Sequence, residues 1–212
     1  MVYYDPSGSQ FKYLSMLRVL IACEFSGVVR EAFRAQGADA VSVDLLASEL
    51  PGPHIVGDVR EHLRAGWDML IGFPPCTYLC NSGVRWLTGE QGGATGPRYR
   101  AMKEAIRLYL DLWNAPIKRI CIENPRMHYF AAQELGKPTQ IIQPWMFGHG
   151  DKKGTWLKLR NLPQLEATKV VNGRNEKIHG DWWKHEGIRW KERSRTYPGV
   201  AAAMAEQWSR LS

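Results

Sequence analysis

Residues 71–83 read I-G-F-P-P-C-T-Y-L-C-N-S-G, and the rest of the chain is best understood from this segment. The apolar run W-D-M-L-I at residues 67–71 predicts a buried strand, so Cys76 follows the carboxyl end of that strand. Ligands bind at this edge of open α/β sheets, and two prolines stiffen the loop. Cys76 is therefore either a nucleophile or a small buried apolar residue, and the local sequence favours neither.

A second strand end favours the nucleophile. The apolar run at residues 117–122 is followed by Glu123-Asn124-Pro125. If the two strands are neighbours, their carboxyl ends face the same crevice, where the Cys76 thiol and the Glu123 carboxylate could meet.

These motifs resemble those of the DNA cytosine-5 methyltransferases, which carry a Pro-Cys loop and a Glu-Asn pair in this order. The resemblance implies an α/β, Rossmann-like methyltransferase fold with a mostly parallel sheet, helices on both faces and S-adenosylmethionine as cofactor. It also implies that Cys76 adds to carbon 6 of an extruded cytosine while Glu123 engages ring nitrogen 3. More narrowly, the chain resembles the compact phage-type members in Gln143-Pro144-Trp145, Phe147-Gly148-His149 and Thr196-Tyr197-Pro198-Gly199.

Residues 17–36 fit the start of a nucleotide-binding α/β fold, which consists of a strand, a glycine turn and a helix. The next strand, residues 40–44, ends at Asp44, where a carboxylate commonly accepts hydrogen bonds from a ribose. By resemblance, the cofactor-binding residues are Phe25, Ser26, Gly27, Asp44, Asp58 and Pro74. Asp58 can equally be the N-cap of a helix that starts near Val59. Val28 and Val29 depart from the family, which has further glycines there.

The larger enzymes of the family also carry a Gln-x-Arg-x-Arg motif whose arginines brace the base and the catalytic loop. This chain has no copy of that motif. Lys158 and Arg160, in the strand predicted at residues 155–160, are the nearest cationic substitutes, and we assign the bracing role to them.

The chain length of 212 residues, 44% of them hydrophobic, suits one domain. We expect an N-terminal extension at residues 1–16 and a single catalytic domain at residues 17–212. Residues 161–191 offer a short DNA-recognition segment, too small for a second domain. A helical pattern at residues 194–211 predicts a closing helix beside the first strand, and the glycine-rich residues 85–97 predict a loop able to close over a base.

The positive charge is concentrated towards the C-terminus. Of the net charge of +7, residues 151–212 carry +6, with thirteen Lys or Arg against seven Asp or Glu. Trp182, Trp183, Trp190 and Tyr197 are interleaved with these cations, a mixture that suits phosphate binding and base stacking. Double-stranded DNA is the expected partner; a solvated face with tryptophans in the core is the alternative.

No apolar run reaches eighteen residues and no signal-peptide pattern opens the chain, so we expect a cytoplasmic protein without a membrane segment. The four cysteines show no regular framework of disulfides. Cys76 and Cys80 lack a second Cys or His pair at ligand spacing, so we expect no metal.

Two alternatives remain open at this stage. The same chemistry serves RNA, so an RNA cytosine-5 methyltransferase fits the motifs. A catalytically idle nucleic-acid-binding relative fits them as well.

Overall fold

The structure is a computed structural model that describes residues 16–81, 96–172 and 189–211. Three segments of the chain lie outside the described residues: most of the N-terminal extension, residues 82–95 with most of the glycine-rich segment, and residues 173–188 of the expected recognition segment. For Arg189 and Trp190 only the backbone is described.

The described residues alternate between short strands and helices. The strands are β1 Arg18–Ala22, β2 Asp39–Asp44, β3 His54–Val56, β4 Met69–Gly72, β5 Arg119–Pro125, β6 Gln140–Ile142 and β7 Thr155–Arg160. The helices are α1 Val28–Ala35, α2 Pro97–Trp113, α3 Tyr129–Leu135, α4 Arg189–Ser194 and α5 Pro198–Trp208, with 3₁₀ turns at Val59–His62 and Pro144–Met146.

The strands form one sheet in the order β3-β2-β1-β4-β5-β7-β6. The first five run parallel, whereas β7 pairs antiparallel with both β5 and β6. The strand order reverses between β1 and β4, so a crevice opens at their carboxyl ends. The loop after β1 and the cysteine loop after β4 lie on either side of this reversal.

Helices cover both faces of the sheet, which explains why β1 and β4 are apolar at almost every position. One face packs Leu20, Leu70 and Ile120 against α2 and α3. The other packs Val19, Ile21 and Met69 with α1 and α5. The closing helix α5 therefore lies on the same face of the sheet as α1, next to Val19 and Ile21 of β1. Trp208 of this helix is fully buried there.

The Glu-Asn-Pro segment differs from the sequence-based expectation of a loop. Residues 123–125 continue strand β5, because β7 pairs with them as far as Pro125 opposite Thr155. Among the described residues, no helix is long and apolar enough to cross a membrane.

Candidate active site

The cysteine loop begins with a tight turn. The backbone amides of Leu79 and Cys80 both donate to the carbonyl of Cys76, at 2.9 and 3.1 Å. Buried Asn124 on β5 donates from Nδ2 to the carbonyl of Pro74 at 3.1 Å. The Glu-Asn pair is thus joined to the cysteine loop by a hydrogen bond, which fixes the half-buried Cys76 relative to β5.

Cys80 lies in the same turn as Cys76, and its thiol is the hydrogen-bond donor to the Cys76 thiolate. Its Sγ is 3.8 Å from Asn124 Oδ1 and 3.9 Å from the Pro125 carbonyl. The Cys80 hydrogen bond is the main reason that the pKa of Cys76 falls to about 7, and the Lys153 charge lowers it further. The pKa of Cys80 is raised by the same contact, so Cys76 is the one of the two thiols that ionises more easily.

Glu123 on β5 faces the same crevice. Burial raises the pKa of its carboxyl, and the charge of Lys153 opposes that increase. The Glu123 charge also acts on Cys76, where it raises the thiol pKa. The structure therefore brings together a thiol with a lowered pKa and a carboxyl with a raised pKa.

Lys153 is a cation of this crevice that sequence reasoning missed. Its backbone amide donates to Gln143 Oε1 at 3.0 Å, and its Nζ donates to the Arg193 carbonyl at 2.9 Å. The ammonium also lies 5.9 Å from the centre of the Tyr197 ring. Its position just before β7 is informative only once β7 is known to be antiparallel, because the start of an antiparallel strand lies at the carboxyl ends of its parallel neighbours.

Lys158 and Arg160 make other contacts in the structure, and the bracing role expected of them stays a prediction. Lys158 pairs in register with Ile122, donates to the Leu135 carbonyl and lies 4.9 Å from the Trp113 ring. Arg160 lies at the other end of β7, where its guanidinium donates to the carbonyls of Trp113, Ala115 and Ile117.

A cavity of about 350 Å³ adjoins the crevice between the start of α1 and the end of β5. Its walls carry both signs of charge, so they can complement a zwitterionic group. The lining includes Val28, Pro125, Asp151, Lys153, Arg193, Arg195 and Tyr197.

The loop after β1 is held by Glu24, which the sequence did not single out. The Glu24 carboxylate accepts from Ser26 Oγ at 2.9 Å and from the Val29 amide at 2.8 Å, and so caps α1. Phe25 and Ser26 are buried beside it. Gly27 has φ +76°, and a Cβ there would lie 2.7 Å from Arg30 Nη2, so backbone conformation and packing both require glycine.

Asp44 and Asp58 lie near the end of β1, since both charges act on the Cys23 thiol and raise its pKa. Asp44 accepts from the Leu46 amide at 2.9 Å, and burial raises the pKa of its carboxyl. Asp58 is the N-cap of the 3₁₀ turn, as the alternative reading predicted: it accepts from the Arg60 amide at 3.0 Å and pairs with the Arg60 guanidinium. Among the described residues, no cluster of three or more His, Cys, Asp or Glu could hold a metal.

No family model matches the sequence, and no curated protein matches it either. Among solved structures, the methyltransferase EhMeth of Entamoeba histolytica is similar over 77% of this chain and 62% of its own, with 17% identity and a TM-score of 0.50. A protein of an E. coli prophage, assigned as a DNA modification methyltransferase, covers 76% of this chain and 54% of its own at 12% identity and a TM-score of 0.46. A mutant of Spodoptera frugiperda DNMT2 covers 76% and 56% at 15% identity and a TM-score of 0.39.

The chain thus spans about 54–62% of the length of these structures. The likeness to the Entamoeba protein concerns the fold. Together with the mostly parallel seven-stranded sheet, it confirms the predicted Rossmann-like methyltransferase architecture.

Proposed function

We propose that this chain is an S-adenosylmethionine-dependent DNA (cytosine-5)-methyltransferase in which Cys76 is the nucleophile. The observation that carries the proposal is the pairing at the strand ends of β4 and β5. There, Cys76 has a pKa lowered to about 7, and Glu123 beside it has a raised pKa. A nucleophile and a proton donor with pKa values shifted in these directions are what acid-assisted addition to a ring requires.

The residues present fit the cofactor. The cavity of about 350 Å³ between the start of α1 and the end of β5 carries Asp151 opposite in charge to Lys153 and Arg195, which suits the amino-acid end of S-adenosylmethionine. Asp44 ends β2 where a ribose would be held, and the loop Phe25-Ser26-Gly27 with Asp58 and Pro74 completes the expected set. When bound, the cofactor supplies an electrophilic methyl group.

The chain's own residues prepare the cytosine. Carbon 5 of the aromatic ring is a weak nucleophile. The Cys76 thiolate forms a bond to carbon 6, and Glu123 gives a proton to ring nitrogen 3, which moves an electron pair towards carbon 5. After methylation, loss of the carbon 5 proton to a base expels Cys76 as the thiolate, and return of the proton from ring nitrogen 3 to Glu123 restores the neutral ring and the acid.

Lys153 favours the thiolate before attack, because a nearby positive charge lowers the pKa of Cys76. It also acts on Glu123 and can balance the charges exchanged between the two groups. We propose that Lys153, rather than Lys158 or Arg160, has the cationic role in this crevice.

Double-stranded DNA is the proposed partner. Its phosphates complement the net charge of +7. Since Cys76 attacks the ring carbon directly, the target base must leave the stack.

The test is covalent trapping on a DNA duplex that carries 5-fluorocytosine, with cofactor present. With fluorine in place of hydrogen at carbon 5, a base has no proton to remove there. Cys76 is therefore not expelled, and its thioether to the ring persists. Wild type and a Cys121→Ala control, changed at a buried cysteine of β5, should both form the adduct. Cys76→Ser should form none and should bind cofactor with nearly unchanged affinity by calorimetry.

Methyl transfer by Cys76→Ser at the wild-type rate would refute the proposal. An adduct with RNA but not with DNA would identify an RNA cytosine-5 methyltransferase instead. Cofactor and DNA binding without an adduct or methyl transfer would identify an idle nucleic-acid-binding relative.

A further inference from the structure

Two aromatic side chains at the start of α3 are left in solvent. Tyr129 is 68% exposed and Phe130 is 43% exposed. Their ring centres are 5.7 Å apart at an interplanar angle of 73°. We propose that Tyr129 and Phe130 form a stacking platform for nucleotides that flank the target base in DNA; the proposal rests on the function proposed above and extends it to the contact with DNA.

The platform is attached rigidly to the cysteine loop through buried His128. The His128 amide donates to the Leu79 carbonyl at 2.9 Å, and Nε2 lies 2.9 Å from the Tyr78 carbonyl. Nδ1 accepts from the Ala131 amide at 3.1 Å, so the ring proton is on Nε2, which donates to Tyr78. One imidazole therefore joins the first turn of α3 to the turn that presents Cys76.

The backbone adds a second connection. Cys80 and Met127 form an isolated antiparallel bridge, two residues before Tyr129. A base held at Cys76 thus places the neighbouring nucleotides of the same strand at a fixed distance from the two rings.

The rings themselves are held by local contacts. Gln133 Nε2 donates to the Tyr129 hydroxyl at 2.7 Å. The Phe130 ring packs edge-on against His128, with centroids 6.1 Å apart. Rings held in this way lose little conformational entropy when a base stacks on them.

Charge around the platform favours a polyanion as its occupant. Arg126 is exposed three residues before Tyr129. The Arg98 guanidinium lies 5.2 Å from the Tyr78 ring centre and donates to the Thr77 carbonyl at 3.4 Å, within the cysteine loop. Aromatic rings interleaved with arginines are the usual surface on which proteins stack bases and hold phosphates.

The experiment measures binding of a fluorescent DNA duplex by anisotropy, using the full chain. The double variant Tyr129→Ala/Phe130→Ala should bind roughly 10- to 100-fold more weakly, the effect expected when base stacking is lost. The dependence of affinity on salt should stay the same, because no charge has been removed. Tyr129→Trp/Phe130→Tyr, which keeps two rings, should restore the affinity.

Ile141→Ala is the matched control. Ile141 is an apolar side chain, 55% exposed, on the edge strand β6 at the far side of the sheet from β1. Its removal should leave DNA affinity within about twofold of wild type, as expected for a surface change outside a binding contact. Unchanged cofactor affinity in every variant shows that the fold is intact.

The outcomes separate this proposal from the function proposed above. If the wild type is trapped on DNA and the double alanine variant binds DNA equally tightly, the platform is refuted and the enzyme stands. If the wild type forms no adduct with DNA, the function fails and the platform with it. If the double variant keeps its DNA affinity but changes self-association in light scattering, the rings are a protein contact and the proposal is overturned.

Discussion

Glu24 and Glu123 are two acids on opposite sides of one crevice, and the protein holds them in different ways. Burial raises the pKa of both carboxyls. Glu24 accepts hydrogen bonds from Ser26 and from the Val29 and Arg30 amides. Glu123 has the Lys153 ammonium as the charge that opposes its burial. An acid saturated by fixed donors is part of the fold, whereas an acid balanced by a flexible cation is available for proton transfer.

The cations on the two sides differ in the same way. Arg30 is fully buried and donates to Ser42, Ser48 and the carbonyls of Leu50 and Pro51. Lys153 is half-buried and donates to a backbone carbonyl, that of Arg193. A planar guanidinium with many partners fixes the loop after β2, and an ammonium on a flexible stem can follow changes of charge at Cys76 and Glu123.

The largest expected effect is on methyl transfer, and it should differ between the two acids when each is replaced by its amide. Glu123→Gln should reduce methyl transfer by about 10²- to 10⁴-fold, the usual contribution of a positioned proton donor. Glu24→Gln should retain activity within a few-fold and lose about 1 kcal/mol of unfolding free energy, because the helix cap is weakened. Methyl-transfer rates and urea unfolding on both variants check this, and equal loss of activity in the two would erase the distinction.

Arg30→Met should have the next largest effect, now on stability. Removing the fully buried guanidinium takes one donor each from Ser42 and from the Leu50 and Pro51 carbonyls, and it takes the ion-pair partner from Glu31. Loss of one partner from a buried charged network typically lowers the unfolding free energy by about 3 kcal/mol. Lys153→Met is the comparison: its unfolding free energy should stay within about 0.5 kcal/mol of wild type while its methyl-transfer rate falls. A shared loss of stability would show that Lys153 is structural too.

The placement of the residues at the ends of the parallel strands could be predicted from the sequence, but the direction of β7 and the placement of its residues could not. Apolar runs followed by glycine or proline located β1, β4 and β5, and the rule that parallel strands end at one edge put Cys76 and Glu123 together. An apolar run reads alike in either strand direction, so nothing in residues 155–160 showed that β7 runs antiparallel. The cation was consequently sought at the end of that strand rather than at its start, where Lys153 lies.

The turn after β1 shows a second limit. Gly27 and Asp58 were assigned to cofactor binding by resemblance. In the structure Gly27 is required by its positive φ and by Arg30, and Asp58 caps a 3₁₀ turn. The contact of Gly27 with Arg30 is one that residue types and spacing do not reveal, whereas the N-cap role of Asp58 was the alternative that the sequence offered. Both local roles are compatible with a cofactor above the loop.

The difference in pKa between the cysteines also predicts which thiol reacts with an alkylating reagent. At pH 7, iodoacetamide should label Cys76 first, since its pKa is about 7, whereas burial raises the pKa of Cys23 to about 12 and that of Cys121 as well. The labelling rate should rise as pH increases through 7, because the thiolate is the reactive form.

Cys80→Ala removes the donor to Cys76, so the Cys76 pKa should rise and its labelling profile should move to higher pH, with a several-fold slower reaction at pH 7. Peptide mapping by mass spectrometry follows each cysteine separately. An unchanged profile in Cys80→Ala would mean that Lys153, rather than Cys80, holds the thiol pKa down.

The smallest expected effect on stability concerns the ion pair of Arg195 and Glu49, which joins the two sides of the crevice. Arg195 lines the cavity and donates to both oxygens of Glu49 at 2.8 and 2.9 Å, while the Glu49 amide donates to the Phe25 carbonyl at 2.9 Å. The hydrogen bond from Arg195 lowers the pKa of Glu49. The pair therefore stabilises the fold above the ordinary glutamate pKa and loses that contribution as pH falls through the lowered value.

Because both side chains are partly exposed, Glu49→Gln should lower the unfolding free energy by less than about 1 kcal/mol, and added salt should reduce the difference. Cofactor affinity should fall more than stability does, since the pair holds the cavity wall against the loop at Phe25. Calorimetric titration with cofactor at low and high salt measures this. If Glu49→Gln binds cofactor as tightly as wild type at low salt, the two sides of the crevice are held together by packing alone.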